Sequence, residues 1–510
     1  MAAAATATST TATALLSISN ACESMLKLKL IHARLIRFDL HDHRILAKLF
    51  RFAAVSPAGN LRYATLLFSY HHCIRSNSTT AFFYNTLIRG FANSSDPSKS
   101  FTLFNSMRRR SISPDPFSFT FILKARSRCL SNMAGDVQAQ ALKFGCLGPH
   151  PSHADVHNAL IHLYALADPA SAQQVFDEMP EPDVVSWSGL LSAHLRVSDL
   201  DNARKVFDGM PERDVVSWTA MISGYTRAQR AKDALKLFQL MPMQPDEVTM
   251  IAVISACTSL GDLEAGEGIR RYINDKGFGW MVSLCNALID MYAKCGCLKS
   301  ARQVFDETKN KSLITWNSMI SAYAAHGAAD AAIKLFDEMS AAGVKPDGVS
   351  FLAVLSACTH QGLVSEGQRL FAAMPDNHVA VGVEHYGCMV DMLGRAGLLE
   401  EAYQLIESMP MPSNDVIWGA LLGACNIHGN VRIAEKAVEK VKQLKSGKGG
   451  YYVILSNMYA ASGRRAEASN MRQNMEQMGA RKTPGVSSSW ASTPCQDIDQ
   501  RLFDLQRNIN

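Results

Sequence analysis

Along most of the chain apolar residues fall at i, i+3, i+4 and i+7, the stripe of a helix packed on one side. Trp316, Met319, Ile320 and Tyr323 set out the pattern. It recurs as Tyr84-Leu87-Ile88-Phe91, Trp187-Leu190-Leu191-His194, Trp218-Met221-Ile222-Tyr225 and Cys285-Leu288-Ile289-Tyr292. A second stripe follows, as in Ala332-Leu335-Phe336-Met339, Ala172-Val175-Phe176-Met179, Ala203-Val206-Phe207-Met210 and Ala234-Leu237-Phe238-Met241. A glycine or polar turn such as His326-Gly327 separates the two. Stops such as Gly343-Val344-Lys345-Pro346-Asp347 and Met179-Pro180-Glu181-Pro182-Asp183 close the second, because proline cannot continue a helix.

The spacing therefore predicts repeated helical hairpins. Counted from the start of each first helix, they span 81–115, 116–153, 154–183, 184–214, 215–246, 247–281, 282–312, 313–347, 348–382 and 383–414. The phase slips near Pro149–Asp155, and residues 27–80 carry one or two degenerate repeats. One hairpin cannot bury both of its stripes, so neighbours must stack. An all-α solenoid is the expected fold.

Composition narrows the class. With 510 residues, 47% apolar and a mean hydropathy near zero, the chain can form a long array. No uninterrupted apolar run reaches membrane-spanning length. A formal net charge of +5 permits a polyanionic partner without demanding one. The densest basic cluster, Arg108-Arg109-Arg110, reads as a solvated helix end. The 12 cysteines are scattered, with no C-x-x-C, which points to a reduced compartment. Residues 1–22 are uncharged and rich in Ala, Ser and Thr, with the first acid at Glu23 and the first base at Lys27. Hydroxyl-rich and acid-poor composition reads as an organellar transit peptide over residues 1–26, with a disordered tail as the rival reading. The missing arginines favour the plastid over the mitochondrion.

Stretches such as "NALIDMYAKCGCLKSARQVFDE" from Asn286, "VVSWTAMISGY" from Val215 and "MVDMLGRAGLLEEAYQLIESMP" from Met389 resemble plant pentatricopeptide-repeat (PPR) proteins. The mixed repeat lengths are similar to their PLS subclass, and the likeness runs from about Leu30 to Trp490. It implies a right-handed superhelix of helix-turn-helix repeats that binds single-stranded RNA, one base per repeat. In that family the fifth and last residues of each repeat lie on the concave face and address the base. Here those pairs are Asn85 with Asp115, Asn158 with Asp183, Ser188 with Asp214, Thr219 with Asp246, Asn286 with Ser312 and Asn317 with Asp347.

The chemistry suits the role. An ionised Asp only accepts hydrogen bonds, so it fits the imino N–H of U or G, whereas the hydroxyl of Ser312 can donate to C or A. A short Ser or Thr at the fifth position leaves room for a purine, and Asn reaches a pyrimidine. The pairs then correspond to U, U, G, G, C and U. Ile251 with Met281, Leu352 with Gly382, and Gly387 with Asn414 fall off the pattern, and Thr120 has no certain last residue. The expected target is 5′-U-N-U-G-G-N-C-U-N-N. The competing reading is structural, since Asp, Ser and Asn at helix starts are ordinary caps.

From Asp415 the pattern continues in altered form. "DVIWGALLGACNIHGNVRIAEKAVE" and "YYVILSNMYAASGRRAEASNMRQNM" look like the tetratricopeptide-like E-type motifs that follow the repeats in RNA-editing members, giving an E-type segment 415–490 and a tail 491–510. The resemblance implies a site-recognition factor for C-to-U editing. The deaminase of some members needs H-x-E and C-x-x-C, and neither is present, so the chain is not expected to be an enzyme. A deaminase-bearing partner acting in trans through residues 415–490 is implied, with no cofactor, no catalytic residue, no metal site and no membrane. Ser446-Gly447-Lys448-Gly449-Gly450 lacks the framing residues of a phosphate loop. His41, His43, His71, His72 and Cys73 lack zinc spacing. Rival readings are an RNA stabilisation, splicing or processing factor without editing, or a tetratricopeptide-like scaffold holding a peptide.

Overall fold

The computed structural model describes residues 23–38, 43–74, 81–129, 134–148, 150, 153–279, 281–444 and 450–477. Most of the presumptive transit segment, the run 446–449, His41 and residues 478–510 lie outside the described residues, as do the side chains of His43, His71, His72 and Cys73. The described residues form 27 helices and no strand. Two compact units divide them, one ending at Arg230 and one starting at Ala231.

In the first unit, first helices start at Ala81, Pro116, Ala154, Val184 and Val215; in the second, at Glu247, Val282, Leu313, Gly348, Val383 and Asp415. These are the residues at which the apolar pattern begins each repeat. The degenerate segment supplies helices Met25–Arg37, His43–Val55 and Leu61–Ile74, whose core of Leu28, Ile31, Leu49, Phe50 and Leu67 reaches Leu87 of the next repeat. After Asp415 come Asp415–His428, Val431–Gln443, Gly450–Ala461 and Arg465–Gln477, again in hairpins around a shared core with Trp418, Leu421, Val438 and Tyr452 at its centre.

Within each compact unit the first helices pack side by side as one layer. Each second helix packs on its own first helix and on the next one. The sequence dictates this division. First helices carry a broad apolar face that is buried on two sides, as in Met319, Ile320, Met250, Val253, Ile254 and Cys257, all 0–1% exposed. Second helices are narrower and more amphipathic, with a small residue at the closest approach: Ala172, Ala203, Ala301, Ala332, Ala402 and Ala434 are each fully buried. In the longer repeats Gly266 and Gly367 take that place, where a Cβ would run into Met291 and Met392.

An aromatic joint links successive hairpins. The Phe of a second helix meets the fourth residue of the next first helix edge to face, with centroids 4.6 Å apart for Phe176 and Trp187 and 5.0 Å for Phe207 and Trp218. The second compact unit repeats it with Phe305 and Trp316, Phe336 and Phe351, and Phe371 and Tyr386. Each such pair adds about 1 kcal/mol to the gain from area burial.

The turns inside the hairpins need one residue in the left-handed region. Gly261, Gly296, Gly327, Gly362 and Gly397 supply it in the second compact unit, at φ from +66 to +79. Ser198 takes that conformation at φ +61 in the first. A Cβ there costs about 1 kcal/mol. Ser198→Gly is therefore expected to stabilise the chain by roughly that amount, read as a raised denaturant midpoint. An unchanged or lowered midpoint would show that the serine is not strained.

Candidate nucleic-acid interface

All six candidate last residues cap the helix that follows them. The side chains of Asp115, Asp183, Asp214 and Asp246 accept from the backbone N–H three residues on at 2.8–2.9 Å, as does Asp347 at 2.9 Å and Ser312 at 3.2 Å. The structural reading of these residues thus holds throughout. It is also incomplete, because three of the carboxylates accept a second kind of bond.

The fifth residue of a first helix lies beside the start of the next first helix, so side chains some 30 positions apart can meet. Asn85 donates through Nδ2 to Asp115 Oδ1 at 2.8 Å and to Oδ2 at 3.0 Å. Asn158 donates to both oxygens of Asp183 at 3.2 Å, and Asn317 to Asp347 Oδ1 at 3.1 Å. A serine completes each group: Ser118, Ser186 and Ser350 donate to the amide oxygens of Asn85, Asn158 and Asn317, each at 2.6 Å.

Ser188 with Asp214 and Asn286 with Ser312 are not joined in this way. Ser188 Oγ and Asn286 Oδ1 are buried and unpartnered, while Asp214 and Ser312 serve as caps. Thr219 is buried in the helix Val215–Arg227 of the first compact unit, and Asp246 caps Glu247–Leu260 in the second. Of the off-pattern positions, Thr120 spends its hydroxyl on Pro116 O at 2.9 Å. Met281 and Gly382 precede their helices without a side-chain cap bond from either residue. Leu352, Gly387 and Asn414 border an open cleft together with Val416 and Cys388. Burial pushes the Cys388 thiol up to about 11, so it stays neutral there. Among the described residues, no group of three His, Cys, Asp or Glu is placed to hold a metal ion, and no helix is long and apolar enough to cross a membrane.

Two of the carboxylates, Asp183 and Asp347, are tuned by the same bonds. Burial works to raise the pKa of Asp183. The Ser186 backbone N–H and hydroxyl and the Asn158 amide outweigh it, leaving the group below the ordinary carboxylate value. Asp347 is balanced alike, by Ser350 and Asn317 against burial. Both are anionic at neutral pH, with lone pairs left on the outer oxygen.

One set of residues escaped the sequence reading. In most first helices the second residue, three places before the fifth and so on the same helical face, is an exposed apolar side chain; Asp155, Ser283 and Glu384 hold the place in the other three. Val185 and Val216 are each 63% exposed and Ile314 is 64% exposed; Phe117, Val248, Val349 and Val416 also stand in solvent. Scattered exposed apolar residues are common, but recurrence at one position of successive repeats, within each compact unit, is not scatter. Its signal was present in the repeated Asp-Val-Val-Ser-Trp, where the second valine falls outside the core stripe.

Comparison with known proteins accounts for the repeat. Residues 79–128, 213–259 and 311–360 match the PPR repeat family, and residues 185–215, 283–313, 349–379 and 384–411 match the PPR repeat. Residues 428–490 match the E motif. A pentatricopeptide repeat-containing protein of Arabidopsis thaliana is 44% identical over 435 residues, covering 84% of each chain. Another from the same plant is 42% identical over 480 residues, covering 89% of this chain and 94% of the relative. A third, named as chloroplastic, is 39% identical over 480 residues, covering 93% of this chain and 86% of its own length. The crystal structure of the pentatricopeptide repeat protein PPR10 with an 18-nucleotide psaJ RNA element has the same fold, with a TM-score of 0.50 at 17% identity, over 92% of this chain and 87% of that one. Neither the repeats nor the E motif is a catalytic domain. The chain belongs to the pentatricopeptide repeat family and carries an E motif after its repeats.

Proposed function

We propose that this protein binds single-stranded plastid RNA in a sequence-specific manner and marks cytidines for C-to-U editing, with the deaminase brought by a partner that docks on residues 415–490. The observation that carries the RNA reading is the Asn–Asp pair held between neighbouring first helices, with exposed apolar residues alongside. The capping carboxylates Asp115, Asp183, Asp214, Asp246 and Asp347 would repel phosphates, so a polyanion must turn its base edges towards them. A base seated there lies between the second residues of successive repeats, for instance Val185 and Val216, which offer apolar contact to either π-face.

Each pair then selects by complementarity. Asp115 with Asn85, Asp183 with Asn158 and Asp347 with Asn317 accept the imino N–H of uracil, and the second amide hydrogen of the Asn remains to donate to a uracil carbonyl. Ser188 with Asp214 keeps the acceptor and takes the larger guanine; Thr219 and Asp246, one in each compact unit, are assigned guanine by residue type alone. Asn286 with Ser312 replaces the carboxylate by a hydroxyl able to donate, which suits cytosine. The string 5′-U-N-U-G-G-N-C-U-N-N follows, read from the N-terminal repeats. A peptide-binding scaffold has no use for a repeated acceptor whose partner alternates between Asn and a short hydroxyl side chain. The E motif favours editing over RNA stabilisation or splicing.

Three outcomes are expected. Asp214→Asn turns an acceptor into a group that can donate, so preference at the fourth base should move from G towards A by roughly tenfold, measured with oligonucleotides differing at that base. Unaltered preference would refute the assignment of Ser188 and Asp214. Plants lacking the protein should lose editing at a cytidine shortly downstream of a match to the string, detected by sequencing organelle cDNA; intact editing at every site would sink the editing role. Finally, Asp183 and Asp347 hold depressed values, so their ionised form and the stability it lends persist above the ordinary value of 3.8 and vanish only as pH falls through the lower folded value. Preference for U at the third and eighth bases should therefore stay flat from about pH 7 to about pH 5, and a decline within that window would contradict it.

A further inference from the structure

Ser118, Ser186 and Ser350 hold the third position of their helices, and each is 0% exposed. Such a residue cannot touch RNA. Its hydroxyl nevertheless reaches into the reading pair of the preceding repeat, at 2.6 Å from the amide oxygen of Asn85, Asn158 or Asn317. The same hydroxyl lies 2.8–3.0 Å from Oδ1 of its own capping Asp. A closed ring results, in which Ser donates to Asn, Asn donates to Asp, and Asp caps the helix that bears the Ser.

In two repeats where the preceding pair is not Asn with Asp, the third-position hydroxyl turns elsewhere. Ser217 donates to the backbone carbonyl of Asp214 at 2.9 Å, and Ser188 is left without it. Thr315 pairs with Ser312 Oγ at 3.0 Å, and the amide oxygen of Asn286 stays buried with no partner. Across these five repeats the partner of the hydroxyl differs with the identity of the pair.

We propose that Ser118, Ser186 and Ser350 are positioning residues for base selection, each fixing the amide of the Asn one repeat back so that only one Asn N–H and the outer Asp oxygen face the base. This rests on the RNA reading above and extends it from two residues per base to three. The hydroxyl engages Asn Oδ1 and the carboxylate engages one hydrogen of Nδ2, so the amide can neither flip nor swing without stranding a buried polar atom. The backbone N–H groups of Ser186 and Ser350 also help to hold the carboxylates of Asp183 and Asp347 ionised. A Ser that is lost leaves its Asn in the state of Asn286, with an amide oxygen that must find a partner, and the base becomes one candidate.

The test uses the full chain and the RNA 5′-UAUGGACUAA-3′, with U or C at the eighth base and, separately, U or C at the third. Ser350→Ala should lower the preference for U over C at the eighth base about fivefold, the worth of one buried hydrogen bond, while preference at the third base is kept, which also reports that the variant is folded. Ser350→Thr should retain the preference, because the hydroxyl remains. Ser217→Ala removes a hydroxyl from the same helical position where it touches no fifth residue, and discrimination at the fourth base should be as in the wild type. Undiminished U-over-C preference in Ser350→Ala, beside a discriminating wild type, overturns the positioning role alone. Equal losses from Ser217→Ala and Ser350→Ala would assign the effect to helix capping and overturn it too. A wild type with no preference at the third or eighth base overturns the RNA reading and this proposal with it.

Discussion

The edge-to-face joint between a second-helix aromatic and the fourth residue of the next first helix is the contact on which the rest of this structure depends. A two-helix hairpin exposes as much apolar surface as it hides, and it gains stability only when a neighbour covers the remainder. Phe305 against Trp316 and Phe336 against Phe351 perform that covering, and Tyr403 with Trp418 carries it past the repeats into the E-type segment. Since the aromatic stands one residue before the fifth position, the joint also fixes where the fifth side chain emerges. Stacking and presentation of the candidate reading groups are consequences of one packing event.

A second economy lies in the last residue of each repeat. Helix ends leave unpaired N–H groups that need an acceptor, and a carboxylate satisfies them with one oxygen. Asp115 and Asp183 hold an Asn from the preceding repeat with both oxygens, and Asp347 does so with its capping oxygen. A cap and a reader are usually weighed as rival explanations of such an Asp. Within the proposed function the two are compatible, because the capping bond fixes the orientation of the carboxylate and, in Asp183 and Asp347, helps to lower its pKa.

The repeats differ in how far this arrangement is complete before RNA arrives. Pairs of Asn with Asp are satisfied internally, whereas Ser188 and Asn286 carry buried atoms with no partner. A preorganised pair loses little entropy on binding. An unsatisfied one regains a hydrogen bond when a base fills it, and suffers when the wrong base does not. Within the proposed function, each compact unit thus combines rigid and adaptable positions. Exposed second-position residues such as Val185, Val216, Ile314 and Val349 would supply contact that is indifferent to base identity.

Repeat phase, helix starts and core stripes were all legible in the chain, because a period of 3.6 and a proline stop are local signals. The six candidate pairs were also readable once repeat length was known. What could not be read was whether Asp183 meets Asn158, since that depends on the distance between two helices. Nor could the buried Ser118, Ser186 and Ser350 be singled out, because a serine at a helix start looks alike whether its hydroxyl turns to its own cap or to the neighbouring repeat. The exposed second-position residues lay in plain view yet passed as ordinary strays until their alignment became visible. The sequence by itself determined the hairpins and their stacking order, through periodicity and chain-local caps. Only the tertiary structure decided which polar side chains close into rings and which are left open, because a hydrogen bond exists or fails within a few tenths of an ångström across a helix interface.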